Sequence, residues 1–131
     1  MRSFPMILAA TAALALAGCH SGGDMAMSPT KTNQTALGPV LADSKDMTLY
    51  VFDKDAPGKS NCNGGCAKNW PPLMADAGAH AMGDYSVVKR DDGGSQWAYK
   101  GRPLYGWVKD QKPGDTTGDG FLNGAWHAAK P

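Results

Sequence analysis

Leu49-Tyr50-Val51-Phe52 is apolar at every position and stops at the polar run Asp53-Lys54-Asp55; Leu104-Tyr105-Gly106-Trp107-Val108 stops in the same way at Lys109-Asp110. In a strand, alternate side chains share a face, so Tyr50 and Phe52 point one way, as do Tyr105 and Trp107. Leu49 and Val51 fill the opposite face, which predicts a central strand buried on both sides. Val40-Leu41-Ala42 and Thr48 to Phe52 are short β-prone runs separated by the polar Asp43-Ser44-Lys45-Asp46, the pattern of a hairpin. Tyr85 to Lys89 alternates, Asp91-Asp92-Gly93-Gly94-Ser95 turns, and Gln96 to Tyr99 returns. After Lys100-Gly101 the chain runs back over Leu104 to Val108, with Pro103 at a strand start, where no ladder hydrogen bond is required of it. Nothing between Leu37 and Pro131 keeps a helical period for long. Cys66 to Trp70 leaves room for one turn of helix before Pro71-Pro72 ends it. The expected fold is mainly β: a small single domain of two pseudo-symmetric hairpin-containing repeats with long loops.

The internal match runs further than the strands. After a one-residue slip, Pro57-Gly58 aligns with Pro113-Gly114, Gly64 with Gly120 and Trp70 with Trp126. A fixed offset of this kind marks a repeated supersecondary unit that cannot bury its apolar face alone. Repeat one is expected over about 38–73 and repeat two over about 95–131. Two copies are too few for a solenoid, so the halves should cover each other.

Ahead of the repeats lies a different kind of chain. Arg2 precedes an almost wholly apolar run from Met6 to Ala17, too short for the roughly 20 residues that cross a bilayer and the size of a secretory signal core. Residues 1–18 are therefore expected to be a signal peptide. Leu16-Ala17-Gly18-Cys19 resembles the lipobox of bacterial lipoprotein precursors. That resemblance implies cleavage before Cys19, diacylglycerol on its sulfur and an acyl chain on its new amino group. His20 stands where an Asp is associated with inner-membrane retention, so the implied location is the cell envelope, lipid-anchored in the outer membrane. From residue 19 to about 36 the chain is small and polar, and a flexible tether is expected. Assigning Cys19 to lipid leaves Cys62 and Cys66 as an even pair in an oxidising compartment. Once Arg2 is removed with the signal, the remaining twelve basic residues balance twelve acidic ones. No basic stripe invites nucleic acid.

Tyr50-x-Phe52-x-x-Asp55 and Tyr105-x-Trp107-x-x-Asp110 match the Tyr-x-[Phe/Trp/Tyr]-x-x-Asp motif of a family of bacterial lipoproteins also described as a secreted repeat of unknown function. Cys62-x-x-x-Cys66-Ala67, Trp70-Pro71-Pro72-Leu73 and Gly101-x-Pro103-Leu104-Tyr105 are similar to that family too. The resemblance covers Leu37 to Pro131 and implies architecture and location, with no established biochemical role. Read from the residues, the aromatics are core and Asp55 and Asp110 fix the turns after the strands. An aromatic face with an acidic rim, able to stack a sugar or quinone ring, is the alternative.

Cys62-Asn63-Gly64-Gly65-Cys66 is the chief candidate for chemistry. Glycines let the chain turn back far enough for a disulfide, and a loop this short yields about 2 kcal/mol. The familiar redox signature is one residue shorter and opens a helix. Neither His80 nor His127 pairs with a cysteine at zinc-like spacing. Asp115-Thr116-Thr117-Gly118-Asp119-Gly120 lacks the register and closing Glu of a calcium loop. No catalytic triad, phosphate loop or cofactor motif emerges, so no cofactor is expected and no enzyme activity is favoured. The expected role is a non-catalytic binding or structural module whose partners are the membrane, through its anchor, and an envelope protein or glycan. A periplasmic redox or soft-metal protein using Cys62 and Cys66 is the competing reading.

Overall fold

The computed structural model describes residues 28–131. The signal segment, Cys19 and the first part of the expected tether lie outside the described residues. Strand β1 (Lys31–Thr35) pairs antiparallel with β2 (Gly38–Ala42), Lys31 opposite Ala42 and Thr35 opposite Gly38. The expectation of a tether up to about residue 36 is thus wrong for its last residues. Thr32, Asn33 and Gln34 are polar because they sit on an edge strand whose side chains meet water, while their backbone pairs with apolar β2. Thr35 closes the turn: its Oγ1 accepts the Leu37 N–H at 3.0 Å and donates to the Gly38 carbonyl at 2.9 Å.

The hairpin expected between Val40–Ala42 and Thr48–Phe52 shrinks to one bridge, Ala42 to Thr48. Asp43 Oδ1 accepts the N–H groups of Lys45 and Met47, which makes a tight side-chain-closed turn there. Strand β3 (Tyr50–Phe52) is buried at all three positions and takes partners on both edges. On one side lies β7 (Trp126–Ala128), with Phe52 opposite Trp126; on the other lies Tyr105. The remaining sheet joins β4 (Tyr85–Lys89), β5 (Ser95–Tyr99) and β6 (Arg102–Pro103). Two short helical turns, α1 (Gly65–Asn69) and α2 (Phe121–Gly124), complete the elements among the described residues. Each follows a glycine at positive φ, Gly64 or Gly120. The architecture is mainly β, in two repeats.

The repeats meet at their tyrosines. Tyr50 N–H donates to the Tyr105 carbonyl at 2.7 Å, and Tyr105 N–H donates to the Tyr50 carbonyl at 3.0 Å. Outward from this reciprocal pair, the backbone bonds occur in equivalent couples. Leu49 N–H reaches the Leu41 carbonyl as Leu104 N–H reaches that of Trp97, at 2.9 and 3.0 Å. Ala129 N–H reaches the Leu49 carbonyl as Leu73 N–H reaches that of Leu104, at 2.8 and 2.9 Å. Period-two alternation then sorts the core: Tyr50 and Phe52 join Trp70, Tyr105 and Trp126, while Leu49 and Val51 join Leu41, Leu104 and Ala129 on the other face.

Candidate functional site

The motif residues converge on the line between the repeats. Tyr50 donates its hydroxyl to Asp110 Oδ2 at 2.6 Å, and Tyr105 donates to Asp55 Oδ2 at 2.7 Å. Each tyrosine is therefore held by the aspartate of the other repeat. The second oxygen of each carboxylate stays at home and closes its own loop: Asp55 Oδ1 accepts the Asn61 N–H at 2.7 Å, Asp110 Oδ1 the Thr117 N–H at 3.0 Å. An aspartate after the strand thus ties turn, neighbouring repeat and core together.

The aromatic rings form one column that alternates between repeats. Phe52 stacks on Trp126 with centroids 4.1 Å apart, Trp126 on Trp70 at 3.7 Å, and Trp70 on Trp107 at 4.0 Å. Tyr50 abuts Trp70 edge-on, and Tyr105 abuts Trp126 in the same way, at 5.4 and 5.1 Å. Every stacked contact crosses between repeats, each contributing roughly 0.5–1.5 kcal/mol beyond area burial. The sugar- or quinone-stacking face is not available, because Tyr50, Phe52 and Tyr105 are buried in this column. Only Trp107, at its end, keeps part of its ring in solvent.

Cys62 and Cys66 form a disulfide with Cα atoms 5.2 Å apart. Cys62 is fully buried against the ring column. The bond sits at the start of α1, and the Cys66 carbonyl accepts the Trp70 N–H at 2.8 Å, so the staple sets where Trp70 enters the stack. The second repeat has Gly118 and Leu122 at the equivalent places. Gly118 lies close against the outer atoms of the Trp70 ring: a Cβ there would stand 2.7 Å from Trp70 Cη2 and 2.9 Å from Cζ3. Leu122 and Asn123 both adopt left-handed backbone, φ 59° and 56°, a conformation that costs a non-glycine residue of order 1–2 kcal/mol.

A residue without a sequence signal organises the disulfide loop. The Arg90 side chain has no solvent exposure. It donates to Gln96 Oε1 at 2.8 Å, the Cys62 carbonyl at 2.9 Å, Ser60 Oγ at 3.0 Å and Asp92 Oδ2 at 3.0 Å. Ser60 Oγ lies 2.6 Å from the Tyr105 hydroxyl. Because Arg90 donates to Ser60 and Tyr105 donates to Asp55, Ser60 must donate to Tyr105. The chain Arg90, Ser60, Tyr105, Asp55 has one direction throughout.

Burial raises the Tyr50 and Tyr105 hydroxyls well above the ordinary phenol range, and the facing carboxylates of Asp110 and Asp55 push the same way. Burial also raises the Asp55 carboxyl, against the pull of the Asn61 N–H and the Tyr105 hydroxyl. For the tyrosines the folded value lies above the unfolded one, so the stability they contribute is intact below about pH 10 and is lost as pH rises further. The free energy of unfolding should hold to about pH 9, bend near pH 10 and then fall by up to roughly 1.4 kcal/mol per pH unit for each shielded tyrosine. The double variant Tyr50→Phe, Tyr105→Phe, weaker at neutral pH, should show a flatter alkaline slope. Equal slopes would refute the assignment.

His127 Nε2 lies 2.7 Å from Asp53 Oδ2, and Arg102 donates to Asp53 Oδ1 at 2.9 Å. His127 and Arg102 line a shallow cleft of about 330 Å3 floored by Val51, Ala128 and Ala129. Asp115 and Asp119 cap loops: Asp115 Oδ2 accepts the Gln111 N–H, Asp119 Oδ1 the Ala128 N–H, both at 2.8 Å. Among the described residues no three His, Cys, Asp or Glu side chains gather as a metal site. No helix among them is long and apolar enough to cross a membrane.

A family model described as a secreted repeat of unknown function, Lipoprotein_15, matches this chain twice, over residues 31–74 and 86–130. The two matches bracket the two halves related by the Tyr50–Tyr105 contact. No curated protein and no solved structure matches the chain.

Proposed function

The chain belongs to the Lipoprotein_15 family of secreted repeats, and from that premise we propose that it is a non-catalytic binding or structural module of the bacterial cell envelope, anchored by lipid on Cys19. The observation that carries this reading is the use to which the six motif residues are put. Tyr50 binds Asp110 and Tyr105 binds Asp55 across the repeats, while Phe52 stacks on Trp126 and Trp107 on Trp70. A motif spent on its own interior builds a rigid platform. Partner recognition then falls to surfaces that differ between the repeats, with an envelope protein or glycan as the partner. The disulfide, with Cys62 fully buried, supports a staple over a cycling redox pair.

Anchoring follows from Leu16-Ala17-Gly18-Cys19. Two or three acyl chains hold a protein on a bilayer where one is marginal. His20 after the acylated cysteine favours the outer membrane. Cells fed an alkynyl fatty acid should label the wild-type protein and leave Cys19→Ser unlabelled. An unlabelled wild type, or a labelled Cys19→Ser, would sink the anchor.

A further inference from the structure

We propose that the cleft rimmed by Lys100, Arg102, His127 and Lys130 binds an anionic sugar unit, one that carries a phosphate or a carboxylate. This rests on the reading of the protein as an envelope binding module and names the chemistry of its glycan partner. The cleft encloses about 330 Å3, and its floor of Val51, Ala128 and Ala129 is aliphatic. A space of this size takes a small ring. Both floor strands have their edges filled. β3 has β7 on one side and Tyr105 on the other. Beyond β7, the Trp126 carbonyl accepts the Gly120 N–H at 2.7 Å and the Ala128 N–H goes to Asp119. A peptide laid here finds no backbone edge to pair with, so the ligand is held by side chains alone. A sugar meets the floor with its apolar C–H face and the rim with its hydroxyls and acidic group.

Charge selects the acidic group. No carboxylate lines the cleft. Asp53, beside it, is held by two of the rim residues: Arg102 donates to Oδ1 at 2.9 Å, and His127 Nε2 lies 2.7 Å from Oδ2. These two side chains already form a fork that grips a carboxylate by both oxygens. Lys100 and Lys130 have no carboxylate partner among the described residues. Lys130 donates to the Leu37 carbonyl, and Lys100 stands 5.2 Å from the centre of the Tyr99 ring. Asp55 and Asp84 line other clefts, and Asp55 is committed to Tyr105 and the Asn61 N–H. Three permanent cations therefore share one carboxylate, an excess that an added anion neutralises. The pseudo-symmetry shows that the fold does not ask for this charge. Pro72 pairs with Tyr105 as Ala128 pairs with Tyr50, and beside Pro72 lies the mate of the cleft, about 300 Å3. There Pro71 stands for His127, Met47 for Arg102 and Asp43 for Tyr99. Its one lysine, Lys45, shares the lining with two carboxylates, Asp43 and Asp110. The shape recurs; the basic rim does not.

The protein, purified with whatever anchor it carries, is titrated with N-acetylglucosaminyl phosphate, glucuronate, neutral N-acetylglucosamine, inorganic phosphate and tetraglutamate, and backbone amide shifts are followed. At least one acidic sugar should move the Val51, His127 and Ala129 amides and leave Leu73 and Gly106, in the mate cleft, in place. Which of the two binds tells phosphate from carboxylate. Lys100→Gln and Lys130→Gln, at exposed sites, should each weaken binding about tenfold. Asp53→Asn, which releases Arg102 and His127, should tighten it. No shifts at millimolar acidic sugar, or equal shifts with the neutral sugar, overturn the proposal. So does binding that ignores the two lysine substitutions or fails to tighten in Asp53→Asn. Inorganic phosphate bound as tightly as the sugar phosphate means an adventitious ion only, and overturns it. Tighter binding of tetraglutamate overturns it in favour of an acidic peptide. Acyl labelling of Cys19 is read separately, so failure of this site leaves the anchored module standing, and failure of labelling leaves the site.

Discussion

Trp70→Ala is expected to cost about 3–5 kcal/mol, the range for deleting a large aromatic from a packed core. A domain of this size holds roughly 5–15 kcal/mol in all, so the variant should be largely or marginally folded only at low temperature and should be read by denaturant unfolding. Trp70 is the inner ring of the column, stacked on Trp126 on one face and Trp107 on the other, with Tyr50 at its edge. Its removal also takes away two of the three stacked contacts between the repeats and leaves only that of Phe52 with Trp126. Gly118→Ala tests the same contact from the opposite side. The added methyl would meet the Trp70 ring at 2.7–2.9 Å, and overpacking of that kind costs about 1–3 kcal/mol. In the Trp70→Ala background the methyl has empty space to enter, so its penalty should vanish or change sign. A coupling of roughly 1–3 kcal/mol is the expected result. Strict additivity would mean that the ring does not rest on Gly118.

How much of this was legible in the chain can be judged residue by residue. The repeat was plain, because both copies keep the same order of Leu, Tyr, aromatic and Asp. The two-faced burial of β3 followed from unbroken apolarity over Leu49 to Phe52. What stayed hidden was mutual arrangement. Nothing in Tyr50-x-Phe52-x-x-Asp55 says that the partner of Tyr50 is Asp110 rather than Asp55. Local spacing allowed the aspartates to be read as turn residues, while their other oxygen works across the repeats. The expected tether ran too far for a related reason: Lys31–Thr35 has the composition of a linker, and only the strand beside it makes it ordered. The reduced hairpin at Ala42–Thr48 shows the converse, a local pairing giving way to two partners distant in sequence.

Arg90→Ala should be comparably severe, at about 3–5 kcal/mol, because it strands acceptors that have no route to water. The guanidinium serves the Cys62 carbonyl, Ser60 Oγ and Gln96 Oε1 at once, from a side chain with no solvent exposure. Gln96 is itself fully buried and spends its amide nitrogen on the Leu104 carbonyl, next to Tyr105. Loss of Arg90 therefore loosens the disulfide loop on one side and the Tyr105 strand on the other. Arg90→Lys should recover little, since one ammonium on a flexible stem cannot present the planar fork that these acceptors share with Asp92. Arg90→Met is the informative variant: it keeps the stem's packing and removes every donor, so its cost isolates the hydrogen bonds. A loss near that of Arg90→Ala places the stability in the polar network, while a near-neutral result would place it in the packed stem. The ion pair with Asp92 joins a half-exposed carboxylate to a fully buried guanidinium, so removing the carboxylate's charge leaves a buried cation short of its counter-ion. Asp92→Asn should accordingly lower the unfolding midpoint, by less than Arg90→Ala, because the acceptors on the buried face of Arg90 stay served.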